Sequence, residues 1–200
     1  MFFILFPLYL SINISLHATA VFDSDSEYSI HNPKSICYRV KQAIKNRESL
    51  DTCVPDGFDL AKCRSIFNTN LLHVAILNGN MIAVEELVKK YGVNINHASQ
   101  FGLTPLNNAV QLSGVAITQL NGLPMIDKLL MLGANPHVVS YPDNETPLQH
   151  AEKYVRYAEE YVRESRSEEE LQEGQKKLKL AREMVTILSA AENKTQKNNS

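Results

Sequence analysis

With 200 residues, 44% of them hydrophobic, and a formal net charge of −2, the chain is long enough to bury one domain core. Twenty basic and 22 acidic side chains leave no electrostatic footprint for nucleic acid, and no lysine/arginine cluster in mid-chain supplies one. No nucleophile elbow, phosphate loop, dinucleotide fingerprint or zinc-protease helix occurs, so the common catalytic classes have no motif to stand on.

Residues 1–20 carry no Asp, Glu, Lys or Arg, and their apolar core is shorter than the roughly 20 residues a membrane-spanning helix needs. Ala18-Thr19-Ala20 has the small-x-small pattern of a cleavage site, so the segment reads as a signal peptide, although its start lacks a basic side chain. Export to the periplasm or outside the cell follows, with no stable membrane span after cleavage; retention as an anchor is the alternative. Residues 21–34 are polar and read as a flexible leader.

From Ser35 a helical cap is expected over residues 35–67. Ile36, Val40, Ala43 and Ile44 recur at helical spacing. Leu60, Ala61, Ile66 and Phe67 suggest a second short helix. The cap holds all three cysteines. Cys53 with Cys63 is the candidate disulfide, closing a loop through the Pro55-Asp56-Gly57 turn. Cys37 with Cys63 would tie two helices together instead, and the spacing leaves both pairings open. No CxxC pair occurs and His31 and His73 fit no ligand spacing, so no metal or cofactor is called for.

A repeat follows, spanning residues 68–191. Asn70-Leu71-Leu72-His73-Val74-Ala75 aligns with Thr104-Pro105-Leu106-Asn107-Asn108-Ala109 and with Thr146-Pro147-Leu148-Gln149-His150-Ala151. The leucines stand 34 and 42 residues apart, a unit near 33 residues with an insertion in the second copy. Gly92-Val93-Asn94-Ile95-Asn96 and Gly133-Ala134-Asn135-Pro136-His137 precede the second and third copies.

On these residues the chain resembles the ankyrin-repeat family, closely from about Asn68 to Ala151 and more loosely to Ala191. Asn70-Leu71 departs from the family's Thr-Pro, Asn107 and Gln149 from its histidine, and Asn144 stands where Gly102 stands. The resemblance implies an all-α fold: helical hairpins stacked in a short solenoid, with irregular fingers between them and extended C-terminal helices.

Elementary chemistry agrees with it. Thr104 and Thr146 suit helix caps, and the following prolines suit the first helical position. Met81, Val84, Leu87 and Val88, then Ile126, Leu129, Leu130 and Leu132, give the second helices apolar stripes that stop near Gly92 and Gly133. Between the second pair of helices, residues 115–124 form an apolar insertion that is expected to pack. The third unit is enlarged. Leu148, Ala151, Val155, Ala158 and Val162 mark one long helix, Gly174 reads as a turn, and Ala181, Met184, Val185 and Leu188 mark a final helix. Residues 192–200 read as a disordered tail.

Function in such a stack lies, by the resemblance, on the fingers and on the exposed face of the first helices. The finger candidates are His97, Gln100 and Phe101, then Ser140, Tyr141 and Asp143. Leu77, Asn78, Asn108 and Gln111 are candidates for the concave wall. Phe101 and Tyr141 stand out because aromatics at solvent-facing tips suit binding hot spots. Tyr154, Tyr157 and Tyr161 form a second aromatic series, read as packing on the final helix. His73 is read as structural, His150 as solvent-facing. The chain therefore reads as a non-catalytic binder of an unidentified protein, of the host or of the cell envelope. The alternatives are an immunity protein that occludes a cognate toxin or envelope enzyme and, remotely, a cysteine-dependent enzyme.

Overall fold

A computed structural model describes residues 26–115, 122–141 and 143–198. The signal-peptide reading, most of the insertion at 116–121, and Pro142 lie outside these residues. Among those described there are seven α-helices, two 3₁₀ turns and only isolated β-bridges. None of these helices is long and apolar enough to cross a membrane.

Helix α1 (Ile36–Asn46) starts where the Ser35 hydroxyl accepts the Tyr38 N–H at 3.0 Å, and it ends at Arg47 in a left-handed conformation. Its buried stripe is Cys37, Val40, Ala43 and Ile44. Three helical hairpins follow: α2 (Leu71–Leu77) with α3 (Met81–Lys89), α4 (Pro105–Val115) with α5 (Gly122–Met131), and α6 (Pro147–Glu164) with α7 (Glu168–Asn198). The first helices stack in a row, α1 on α2, α2 on α4 and α4 on α6, while α5 packs on α7. One continuous core runs through the stack, with Leu72, Leu87, Leu106, Ile126, Leu129, Met184 and Leu188 fully buried. No single hairpin has enough apolar partners to bury its own face, so the neighbours are obligatory.

The cap differs from the sequence reading in three ways. The leader is folded from Ser26 onward: Ile30 donates to the Arg64 carbonyl at 3.1 Å, Arg64 donates to the Tyr28 carbonyl at 3.0 Å, and the Tyr28 ring stacks on Phe58 at 5.2 Å. The second cap helix shrinks to a 3₁₀ turn, Leu60–Lys62, capped by Asp59. It stops there because Cys63 is tied to α1 and the backbone of Arg64 is committed to residues 28–30, so no helix can propagate. The disulfide joins Cys63 to Cys37, with Cα atoms 5.6 Å apart, and the candidate pairing with Cys53 is corrected. Both bridged cysteines are fully buried between α1 and the turn, whereas Cys53 is a half-buried free thiol.

The last hairpin also departs from expectation. The chain reverses at residues 165–167, and α7 runs without a break through Gly174 to Asn198. Gly174 serves close packing rather than a turn: a Cβ there would lie 2.8 Å from the Val162 side chain and 2.9 Å from the Tyr161 ring. The Ser167 hydroxyl accepts the Glu170 N–H at 3.1 Å, and Glu168, Glu169 and Glu170 place negative charge at the positive end of the helix. The expected tail from residue 192 is the final turns of α7 as far as Asn198, where Thr195 lies 2.6 Å from the His137 ring.

Candidate functional site

The three fingers share one construction. Each is closed by a serine N–H donating back across the loop: Ser65 to the Thr69 carbonyl at 2.9 Å, Ser99 to Leu103 at 2.9 Å, and Ser140 to Glu145 at 3.0 Å. Each tip turns through a left-handed residue, Asn68 (φ 56°), Gly102 (φ 69°) and Asn144 (φ 52°). Asparagine tolerates this conformation better than other side chains, which explains its two appearances in a glycine position. Consecutive fingers are then joined through their backbones, Gln100 donating to the Phe67 carbonyl and Tyr141 to the Phe101 carbonyl, both at 3.0 Å.

This ladder lines up large side chains at the rim. Ile66 is 48% exposed, Phe67 37%, Phe101 36% and Tyr141 66%, and the Phe67 and Phe101 rings lie 5.9 Å apart. An apolar ridge thus spans all three fingers on a backbone that is fixed before any partner arrives. Phe101 and Tyr141 both belong to it. Ile66 and Phe67 were assigned to a helix; their signal was the match of Ser65-Ile66-Phe67-Asn68 to Ser99-Gln100-Phe101-Gly102, at the same 34-residue period as the leucines.

Beneath the ridge lie two histidines. His73 is 2% exposed; its Nε2 faces the Leu103 carbonyl at 3.0 Å and its Nδ1 accepts the Asn70 N–H at 3.3 Å. His97, half-buried, reaches the Asn68 carbonyl with Nε2 at 2.7 Å. Burial is the main force lowering the proton affinity of both rings, to about 4 for His73, so both are neutral at pH 7. His97 therefore fastens one finger to another and presents little to a partner.

The third finger is held from α6 by His150. This ring is buried, not solvent-facing: Nε2 lies 3.0 Å from the Ser140 hydroxyl and Nδ1 3.3 Å from the Glu145 carboxylate. The order Ser140–His150–Glu145 has the spacing of a serine–histidine–carboxylate relay. Yet Ser140 is only 2% exposed, and the equivalent serines, Ser65 and Ser99, spend their hydroxyls on finger backbone. A nucleophile must reach a carbonyl, and a buried one cannot. Ser140 is thus a lock for the finger, which corrects its assignment as a contact residue. Asp143, Glu145 and His150 also bring possible ligand atoms within 4.8 Å of one another, but the Lys153 ammonium stands 3.3 Å from Glu145 and 4.0 Å from Asp143 and supplies the opposing charge. Asp143 is exposed at the tip.

Of the candidates for the concave wall, Leu77 is 52% exposed, while Asn78, Asn108 and Gln111 are half-buried. Asn78 turns its amide back to the Val74 carbonyl at 2.7 Å. Of the tyrosine series, Tyr154 packs inward and donates to the Gln111 carbonyl at 3.4 Å, Tyr161 lies under the Lys177 ammonium at 4.4 Å, and Tyr157 is exposed. Gly114 permits this packing, since a Cβ there would run into the Tyr154 ring.

Residues 69–97 match the family model described as ankyrin repeat. Among solved structures the chain is similar to an ankyrin repeat domain from Acinetobacter baumannii AYE, with 25% identity and a TM-score of 0.54; the match covers 76% of this chain and 63% of that one. This chain thus aligns with less than two thirds of that domain's length. No curated protein matches it in sequence.

Proposed function

We propose that this chain, which resembles ankyrin-repeat proteins over residues 69–97 and in its fold, is an exported binding module that grips a protein partner with the finger ridge Ile66–Phe67–Phe101–Tyr141. The observation carrying the reading is the exposure of these apolar side chains on a rim held by inter-finger backbone bonds. Such a surface loses little conformational freedom on binding, so more of its apolar burial contributes to affinity. Leu77, Asn108 and Gln111 on the concave wall extend the contact. Catalysis has no place in this reading, since the serine of the relay-like trio is buried.

Two features support export: the charge-free apolar residues 1–20 and the buried Cys37–Cys63 bridge, a bond that persists in oxidising compartments. The partner is then an envelope or host protein.

The test is capture with residues 21–200 as bait, beside a Phe67→Ala/Phe101→Ala/Tyr141→Ala version of unchanged melting temperature. A protein held stoichiometrically by the first and lost by the second supports the ridge. Equal recovery by both moves the site to the concave wall or the Tyr157 face. A single, very tight partner made by the same organism would favour the immunity-type alternative over a host-directed binder.

A further inference from the structure

We propose that Arg64, His73 and His97 form an acid-operated latch: neutral imidazoles hold the first and second fingers together, and their protonation parts them. The latch is a property of the fold and does not depend on what the ridge binds.

The geometry puts three basic groups at one junction. The His73 and His97 rings meet edge-on with centroids 6.4 Å apart, and the Arg64 guanidinium acts electrostatically on both. The charged group set against them is Asp59, which acts on Arg64 and also pairs with Lys62 at 3.6 Å. Among the described residues, no carboxylate is one of the groups that bias either ring. His150 differs here, because Glu145 and Asp143 face it and would accommodate its proton.

Both rings are structural fasteners. His73 Nε2–H donates out of α2 to the Leu103 carbonyl at the base of the second finger, and His97 Nε2–H donates to the Asn68 carbonyl at the tip of the first. With Nε2 donating, His73 Nδ1 is the acceptor for the Asn70 N–H, closing the cap of α2. A second proton on Nδ1 displaces that N–H. The Asn70 Oδ1, 2.8 Å away, would be its only new acceptor, and that oxygen already accepts from Leu72 and His73. The cation would sit 2% exposed, beside a second imidazolium and a guanidinium. Releasing the fingers to water relieves both burial and repulsion.

The sign is set by the lowered affinity of the closed state. With His73 at about 4 when closed and at its ordinary 6.5 when released, opening is favoured about twentyfold more at pH 5 than at pH 7.

Hydrogen–deuterium exchange of the intact chain at pH 7 and pH 5, corrected for intrinsic rates, reads the latch directly. Protection over residues 96–104, which contain the Ser99, Gln100 and Gly102 amides, is expected to fall at least tenfold, while α7 stays protected. In His73→Gln, which keeps a donor and an acceptor but does not titrate, that fall is expected to shrink below threefold. A fall smaller than tenfold in the native chain, loss of protection in α7 at the same pH, or a His73→Gln chain that keeps the full dependence would overturn the proposal. Should His73→Gln not fold, NMR titration of the native chain replaces it: the His73 and His97 ring protons and the Gln100 and Gly102 amides must shift in one step. Rings that titrate while those amides stay still would equally sink the latch.

Discussion

Gln100 donates its backbone N–H to the carbonyl of Phe67 at 3.0 Å, so the apolar rim of one finger rests on the main chain of the next. Tyr141 repeats the bond to Phe101, and Gly102 makes room for it: a Cβ at Gly102 would lie 2.9 Å from the Tyr141 nitrogen, at a φ of +69°. Gly102→Ala is therefore expected to cost about 1–3 kcal/mol and to loosen the second and third fingers together. Urea unfolding measures the cost; a change under about 0.5 kcal/mol would mean that the ladder adjusts freely.

The Cys37–Cys63 bridge closes a loop with a sequence separation of 26. Loop-closure entropy for that length puts its contribution at about 3.5 kcal/mol. Cys37→Ser/Cys63→Ser is expected to lower stability by that order, while Cys53→Ser is nearly neutral. Denaturation with and without a reductant provides the check. Equal sensitivity of the Cys53→Ser chain and the native chain to reductant is required, because only the first pair is bonded.

Gly114 lies against the Tyr154 ring. Gly114→Ala is expected to force α4 and α6 apart at a cost of about 1–3 kcal/mol, the usual penalty for overpacking. Thermal unfolding of the variant would show it, and an unchanged melting temperature would contradict the close approach.

Burial raises the Tyr154 hydroxyl to about 12, above its ordinary 10. A raised value stabilises the fold fully below pH 10 and is lost as pH climbs through 12, a span worth about 2–3 kcal/mol. Stability is thus expected to decline over that alkaline window, and Tyr154→Phe to flatten the decline while costing less than about 1 kcal/mol at pH 7. Denaturant midpoints measured at pH 8, 10 and 11 decide the matter.

Among the described residues Ser140 is the sole partner of His150 Nε2. Ser140→Ala leaves a buried ring nitrogen unsatisfied and is expected to cost about 1–3 kcal/mol. Its effect on partner capture should be no more than that loss of stability explains, since Ser140 does not reach the surface. A specific loss of capture by a fully stable Ser140→Ala chain would return the residue to the binding face.

The repeat itself was written in the chain. Thr-Pro-Leu phrases, Gly-x-Asn phrases and apolar stripes at helical spacing are local properties: capping, proline at the first helical turn and left-handed stops act within a few residues. Helices α1 to α6 and the end of α3 and α5 near Gly92 and Gly133 followed from them. Phe101 and Tyr141 were legible too, because the period placed them at finger tips. Other assignments depended on partners distant in sequence. Cys63 bonds Cys37 because the 3₁₀ turn and α1 pack face to face, which spacing does not encode. Residues 28–30 are ordered by the backbone of Arg64, and Gly174 is helical because α6 needs α7 close by. Ser140 and His150 are buried because a third finger folds onto α6. Short-range rules determined which elements form; burial and the pairing of polar groups across the stack decided which side chains remain free to meet a partner.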